Sequence, residues 1–214
     1  MNTCKLTTIR FKNIVNYKLH YFSRHAIVRL MNSKKNTIKI ILDLGCGKKK
    51  RKGSIGVDYT DRFPVNVNHN LNLFPYPFRT NYADEIYLDN VLEHLDDTLD
   101  VMREISRILK PGGFVKIIVP YFRSSWAFID PTHKKFFTAH SFAYFDLNHI
   151  FSQTYDYTET RFFVERIIFN ETHTKRSWFT KLVVRFANKW PAKYEYYISH
   201  LYPLDDITFY LHKP

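Results

Sequence analysis

Apolar positions change period several times along this chain, and each change marks an element. Val15, Leu19, Phe22, Ala26 and Leu30 recur at helical spacing, with Asn16, His20, Ser23 and Arg24 elsewhere on the wheel. This predicts a helix over Asn13–Asn32 with Asn13 as its cap. The β-branched run Ile38–Leu44 stops at Gly45, the pattern of a strand buried in a parallel sheet. Gly53–Asp58 predicts a second strand, Val65–Val67 a weaker third and Asp84–Asp89 a fourth. Asp96–Leu109 is the clearest helix. Val101, Ile105, Ile108 and Leu109 form its apolar face, Asp96 and Asp97 stand near its start, and Gly112 lies just past its end. Pro111-Gly112-Gly113 then turns the chain into a fifth strand, Phe114–Val119.

Beyond Pro120 the pattern loosens over some forty aromatic-rich residues. Phe162–Phe169 and Ile207–Leu211 read as final strands, with helices over Phe179–Trp190 and Tyr194–Leu201 between them. Alternating strand and helix signals predict an α/β fold with a mostly parallel sheet. No repeat or low-complexity linker divides the chain, so 1–214 reads as one domain. Its parts are a basic helical extension (1–36), a ligand-binding core (37–120), an aromatic substrate or lid region (121–160) and C-terminal strands and helices (161–214). The connection from Gly47 to Asp58 is near the minimum for a parallel crossover, so its helix is expected to be abbreviated, and that from Asp58 to Asn70 leaves no room for a normal one. The N-terminal helix is expected to cover part of the sheet face left bare.

Composition narrows the class. Hydrophobic residues make up 45% and charged residues 24% of 214, which excludes disorder as the default. No apolar run is long enough for a spanning helix, and the N-terminus lacks the pattern of a secretory signal. Cys4 and Cys46 alone cannot build a disulfide framework, so a reducing cytoplasm is expected. The net charge of +12 is concentrated: residues 1–60 hold fourteen of the 32 Lys and Arg but two of the 20 acids, and the remaining 18 of each sign cancel. Such a region either attracts an anionic partner, RNA or a membrane surface, or is a solvated face.

The chemistry concentrates at strand ends. Asp43-Leu44-Gly45-Cys46-Gly47 closes the first strand, where two glycines allow a tight turn and close approach of a ligand to the backbone. Asp58 ends the second strand as an acid positioned to accept bonds from ribose hydroxyls. Strand, GxG, strand and acid together are far more specific than GxG alone.

With these segments the sequence resembles the class I S-adenosylmethionine-dependent methyltransferases, in particular the type-11-like branch that often accompanies surface-glycan biosynthesis. The likeness runs from about Ile38 to Phe145. It is carried by LDLGCG (42–47), GVD (56–58), NLNLFPYPF (70–78), ADEIYLDNVLEHL (83–95), REISRILKPGGFVKIIVP (103–120) and DPTHKKFFT (130–138). The resemblance implies a Rossmann-like sheet with an antiparallel C-terminal strand, and S-adenosyl-L-methionine as cofactor. It also implies roles: Asp43 orients the glycine loop, Gly45 and Gly47 pass the methionyl part, Asp58 holds the ribose, Asn70 and Leu71 border the adenine, and Asn90 lines the pocket. Two residues depart from the family pattern. Lys49 replaces the usual third glycine, and Asn70 stands where an acid is common, its side-chain oxygen still able to accept from an amine.

Four features lie around that frame. Lys48-Lys49-Lys50-Arg51-Lys52 follows the glycine loop, either meeting an anionic group or simply solvated. Glu93-His94 follows strand four, where His94 is either a proton relay or a packing and capping residue. Asp130-Pro131-Thr132-His133 predicts a short helix through Lys135 capped by Asp130, a rigid mount for His133 as general base. Tyr121, Phe122, Trp126, Phe136, Phe137, Phe142, Tyr144 and Phe145 form either a substrate pocket or a lid core. His133, His140 and His149 lack an accompanying acid or Cys pattern, so no metal is expected. The expected activity is methyl transfer to a small-molecule, glycan or lipid-linked acceptor, at oxygen, with His133 and then His94 as base. The alternatives are an RNA methyltransferase using the basic first quarter and a non-catalytic cofactor-binding module.

Overall fold

The structure, a computed structural model, describes residues 38–172 and 177–214. The helix predicted over Asn13–Asn32, and the sheet cover expected from it, lie outside the described residues. Seven strands form one sheet in the order β3-β2-β1-β4-β5-β7-β6. They are β1 (Ile41–Leu44), β2 (Ile55–Asp58), β3 (Val67–Asn68), β4 (Ala83–Asp89), β5 (Leu109–Pro120), β6 (Phe163–Phe169) and β7 (Asp206–His212). β1 to β5 pair in parallel, whereas β7 runs antiparallel to both β5 and β6. The α/β fold class and its antiparallel C-terminal strand are therefore observed. Within the described residues, Lys39–Pro214 forms one compact unit.

The early connections contain no helix at all, so the abbreviated helix expected between Gly47 and Asp58 is absent; the returning backbone pairs directly with β2 instead. After β1 the backbone turns back at once, with the Gly45 and Cys46 amides donating to the Val57 carbonyl at 2.7 and 3.1 Å. Irregular turns also join β2 to β3 and β3 to β4. The first long helix, α1 (Thr98–Ile108), begins at Asp97, whose Oδ1 accepts from the amides of Leu99 and Asp100. It buries Val101, Ile105 and Ile108 against the core, as the apolar spacing predicts, and Met102 beside them.

Its other end departs from expectation. Gly112 does not stop the helix; Leu109 is already extended and pairs with Ala83 as the first residue of β5. Pro111, Gly112 (φ +75°) and Gly113 instead form an irregularity within that strand, after which pairing resumes at Phe114 opposite Glu85. Sheet pairing to β4 thus begins where the local signals predict a helix cap.

The C-terminal half adds α2 (Trp126–Ile129), α3 (Ile150–Thr154), α4 (Trp178–Lys189), and a Pro191–Lys193 turn leading into a π-helical turn, Tyr194–Ile198. The last of these stands within the helix predicted over Tyr194–Leu201. Among the described residues no helix is long and apolar enough to cross a membrane. The carboxyl ends of β1, β2, β4 and β5 share one sheet edge. In doubly wound sheets that edge is where ligands bind, because the following loops converge there.

Candidate active site

The turn after β1 takes its shape from two glycines in the left-handed region, Gly45 at φ +69° and Gly47 at φ +53°. A Cβ on Gly45 would stand 2.3 Å from Val91 Cγ2, so β4's continuation closes over that residue. A Cβ on Gly47 would meet nothing within 4 Å, so this backbone faces open space. Two carboxylates hold the turn. Asp58 accepts from the Gly47 amide through Oδ2 and from the Tyr59 amide through Oδ1, both at 2.8 Å. Buried Asp43 accepts from the Arg51 amide at 2.7 Å, tying the loop's far side to β1. Each Asp58 oxygen keeps a second lone pair for a ligand hydroxyl.

The turn separates two recesses. A cleft of about 900 Å³ is lined by Asp43, Gly47, Lys49 and Asp89, among others. A smaller one of about 260 Å³ is lined by Asp58, Asn70, Leu71 and His94. Gly45 and Asn90 belong to both. All seven residues singled out for the cofactor therefore border one or both of these recesses: Asp43, Gly45, Gly47, Asp58, Asn70, Leu71 and Asn90. Asn90 is placed by a left-handed backbone (φ +53°) and an amide donating to the Ile118 carbonyl. The groups lining the two recesses suit S-adenosylmethionine chemically. A strand-end acid, an amide oxygen, acidic groups and a line of cations would face its hydroxyls, exocyclic amine, ammonium and carboxylate, respectively. Lys48–Lys52 are exposed, and four of them line the larger cleft, so the solvated and the anion-facing readings coincide in place. Arg51 also packs its guanidinium 3.8 Å from the Tyr87 ring centroid.

Beside the smaller recess lies a titratable cluster. β4 and β5 are neighbours in the sheet, so the loops leaving them converge. Glu93 and His94 sit in the Leu92–His94 3-10 turn after β4, and His133 lies in the loop after β5. The rings of His94 and His133 meet edge to face with centroids 4.7 Å apart. Nδ1 of His94 contacts Thr132 Oγ1 at 2.9 Å, and that hydroxyl donates to Asp130 Oδ1 at 2.7 Å. The hydroxyl proton being committed to Asp130, the His94 Nδ1–H is the donor of the pair, which leaves Nε2 as an acceptor. His133 likewise commits Nδ1 to the Ala127 carbonyl at 3.0 Å and turns Nε2 toward Glu93 Oε1 at 4.0 Å.

Glu93 is 1% exposed, and neither carboxylate oxygen has a hydrogen-bond partner. Desolvation pushes its pKa up to about 7. Burial, reinforced by the neighbouring His133, holds His94 below the ordinary imidazole range. Glu93, His94 and His133 are a grouping whose donor atoms lie within 4.8 Å of one another, although no metal is expected from the sequence. Shared tetrahedral ligation at 2.0–2.1 Å brings donors to about 3.4 Å, so the widest spacing would first have to close by up to about 1.4 Å.

One expectation about this region is revised. Asp130 caps no helix from Pro131 to Lys135; it closes α2 at its C-terminal end and forms a turn by accepting from the Thr132 amide at 2.8 Å. The reason is long-range. The amides of Lys134 and Lys135 donate to the Glu93 carbonyl at 2.7 and 3.1 Å, which takes them out of any local helix. The mount for His133 is thus the β4 turn rather than a helix cap. Of the two candidate bases, His94 borders a recess, and His133 packs behind it with its side chain 8% exposed. The aromatic set also divides. Tyr121, Phe137, Phe142 and Phe145 are core, whereas Trp126 and Phe136 face solvent.

Residues 46–117 match a methyltransferase domain family. Over 128 residues the chain is 27% identical to the demethylmenaquinone methyltransferase of Staphylococcus saprophyticus, an alignment covering 50% of this chain and 54% of that protein. The chain thus spans about half the length of that curated relative. Among solved structures, a SAM-dependent methyltransferase from Archaeoglobus fulgidus shares the fold at TM-score 0.51 and 20% identity, covering 90% of this chain and 94% of that one. Phosphoethanolamine N-methyltransferase 2 of Haemonchus contortus, solved in complex with S-adenosyl-L-methionine, shares it at TM-score 0.50 and 16% identity, covering 90% of this chain and 52% of that one. The domain match falls on the segment that runs from the glycine turn through the Glu93–His94 turn into β5. Residues 46–117 thus carry a methyltransferase domain, and the sheet around them has the fold of S-adenosylmethionine-dependent methyltransferases.

Proposed function

We propose that this methyltransferase acts on an oxygen of a small-molecule, glycan or lipid-linked acceptor, with His94 receiving the acceptor's proton. The observation that carries the reading is the buried, unpartnered Glu93 carboxylate set behind two imidazoles at the mouth of the cofactor recess. S-adenosylmethionine, when bound, supplies an electrophilic methyl group and leaves as a neutral thioether. The chain's own contribution is alignment, exclusion of water and proton removal. With that methyl donor in place, Nε2 of His94 would take the acceptor's proton as the acceptor oxygen is methylated. The resulting imidazolium sits against His133 and the Thr132–Asp130 pair. Glu93, one residue deeper and neutral up to about pH 7 on its own, can ionise against that positive charge. A relative named for demethylmenaquinone favours a small acceptor over a macromolecular one.

The direct test is incubation with methyl-labelled cofactor and separated small-molecule, lipid, glycan, RNA and protein fractions. Label in the first three supports the proposal. Label confined to RNA would transfer the function to the nucleic-acid reading suggested by the basic run Lys48–Lys52. No label anywhere, with cofactor bound, would favour a non-catalytic binding module.

Cofactor contact through Asp58 has its own expected result. Asp58→Ala removes paired acceptors for the ribose hydroxyls and loosens the amides of Gly47 and Tyr59. Affinity for S-adenosylmethionine should fall by about 1–3 kcal/mol, roughly five- to 150-fold. Calorimetry reads this directly, and Asp58→Asn, which keeps one acceptor oxygen, should recover part of the loss. An unchanged dissociation constant in Asp58→Ala would place the ribose elsewhere.

A further inference from the structure

The chain contains three tryptophans, and all three are largely exposed: Trp126 at 55%, Trp178 at 74% and Trp190 at 41%. Trp is highly buried on average in folded domains, so three outward-facing rings indicate something for them to enter. Two of them flank α4. That helix turns Val183 and Ala187 inward, while its outer face carries Trp178 and Leu182 beside Lys181, Arg185 and Lys189. These cations recur every four residues, and Lys193 continues the series past Trp190. The Lys189 and Lys193 ammonium groups lie 4.3 and 5.9 Å from the Trp190 ring centroid. The following turn exposes Tyr196, Tyr197 and Leu201.

Over residues 177–204 the single acid is Glu195, and it is turned inward to accept from the Ala139 amide at 2.9 Å. None of the four cations forms an ion pair with a described residue. The same contact locates this face, since Ala139 follows the loop that carries His133, and Tyr194 packs on Tyr121 at the carboxyl end of β5. Next to that loop, Phe128 and Ile129 are also exposed, with Phe128 stacked on Phe136.

We infer that α4 and the 190–201 turn form a docking surface for an anionic lipid bilayer. The cations meet lipid phosphates, and the indole, phenol and leucyl groups enter the headgroup region, where amphipathic rings are favoured. Exposed Leu182, Leu201 and Ile129 favour a bilayer over RNA, because an aliphatic side chain gains nothing from a phosphate and offers no stacking surface to a base. Docking would bring the acceptor edge of the sheet to the membrane; that last step alone rests on the lipid-linked form of the proposed function.

The test uses the full chain in sedimentation with vesicles of phosphatidylcholine alone or of equimolar phosphatidylcholine and phosphatidylglycerol. Binding is expected to the anionic vesicles, with a blue shift of tryptophan emission. Each Lys or Arg near such a surface is worth about fivefold, so K181Q/R185Q/K189Q/K193Q should partition more weakly by roughly two to three orders of magnitude. Trp178→Ser with Leu182→Ser should weaken binding even where salt has screened the charges. A four-Gln variant that binds like the parent would place membrane contact elsewhere and overturn the inference. So would a chain that ignores both vesicles, including one that instead binds single-stranded RNA through these cations. Cofactor affinity, measured alongside, should be unchanged in every variant, which separates failure of docking from failure of methyl transfer.

Discussion

His94→Gln is expected to lower turnover by roughly 10²–10⁴ while leaving cofactor affinity and melting temperature nearly unchanged. The argument begins at Asp130, which takes the Thr132 hydroxyl proton and so leaves that oxygen to accept from His94 Nδ1. Nε2 is then the free lone pair, on a ring that borders the recess shared with Asp58 and Asn70. Glutamine keeps polarity and much of the volume but cannot take a proton at neutral pH. The pH–rate profile adds a readout that a packing role would not move. Because burial and His133 depress the His94 pKa, the base stays neutral to below the usual imidazole range, and activity should fall only at more acid pH. In His94→Gln that acid limb should vanish from the residual rate. His133→Gln should cost less, since His133 faces Glu93 from behind and borders neither recess. Full turnover by a folded His94→Gln enzyme would remove the base from this position.

What could be read from the residues alone follows a physical division. β1, β4, β5 and α1 were legible because their apolar periods report burial directly, and the glycine turn because Gly45 and Gly47 need left-handed backbone whatever the ligand. The cofactor residues follow from those strand ends. Local signals fail where a distant group competes. Asp130-Pro131 is equally the start of a helix or of a side-chain turn, and the Glu93 carbonyl decides between them by capturing two amides from the far loop. Gly112 signals a helix stop, but Leu109 is claimed first by Ala83 of β4. Glu93 itself leaves no signature in its neighbourhood beyond adjacency to His94. Its burial is created by the 130–135 segment folding over it. The division of the aromatic set is likewise invisible to composition, since core and surface rings alternate within one loop.

Glu93 should also make the protein less stable as pH rises, opposite in sign to Asp84, Glu104 and Glu171. Asp84, Glu104 and Glu171 are held below their ordinary values, each hydrogen-bonded to Lys110, Arg107 or Lys116 against the opposing cost of burial. Their contributions are present above the unfolded pKa and lost on acidification. Glu93 has the other sign. Its folded pKa stands at about 7 against an ordinary 4.5, because burial without a partner penalises the charged form. The native state therefore binds the proton more tightly than the unfolded chain. The full contribution is present below about pH 4.5, and it is lost as pH rises through 7. At 1.36 kcal/mol per unit the loss is about 3 kcal/mol, or about 6–12 °C in melting temperature for a domain of this size. Glu93→Gln does not titrate and keeps the side-chain shape. It should melt close to the parent at pH 4.5 and well above it at pH 8, with the difference between the two curves isolating Glu93 from the remaining carboxylates. Parallel curves across that range would mean that the folded protein supplies Glu93 with a partner for its charge, and the cluster behind His94 would then need a different electrostatic account.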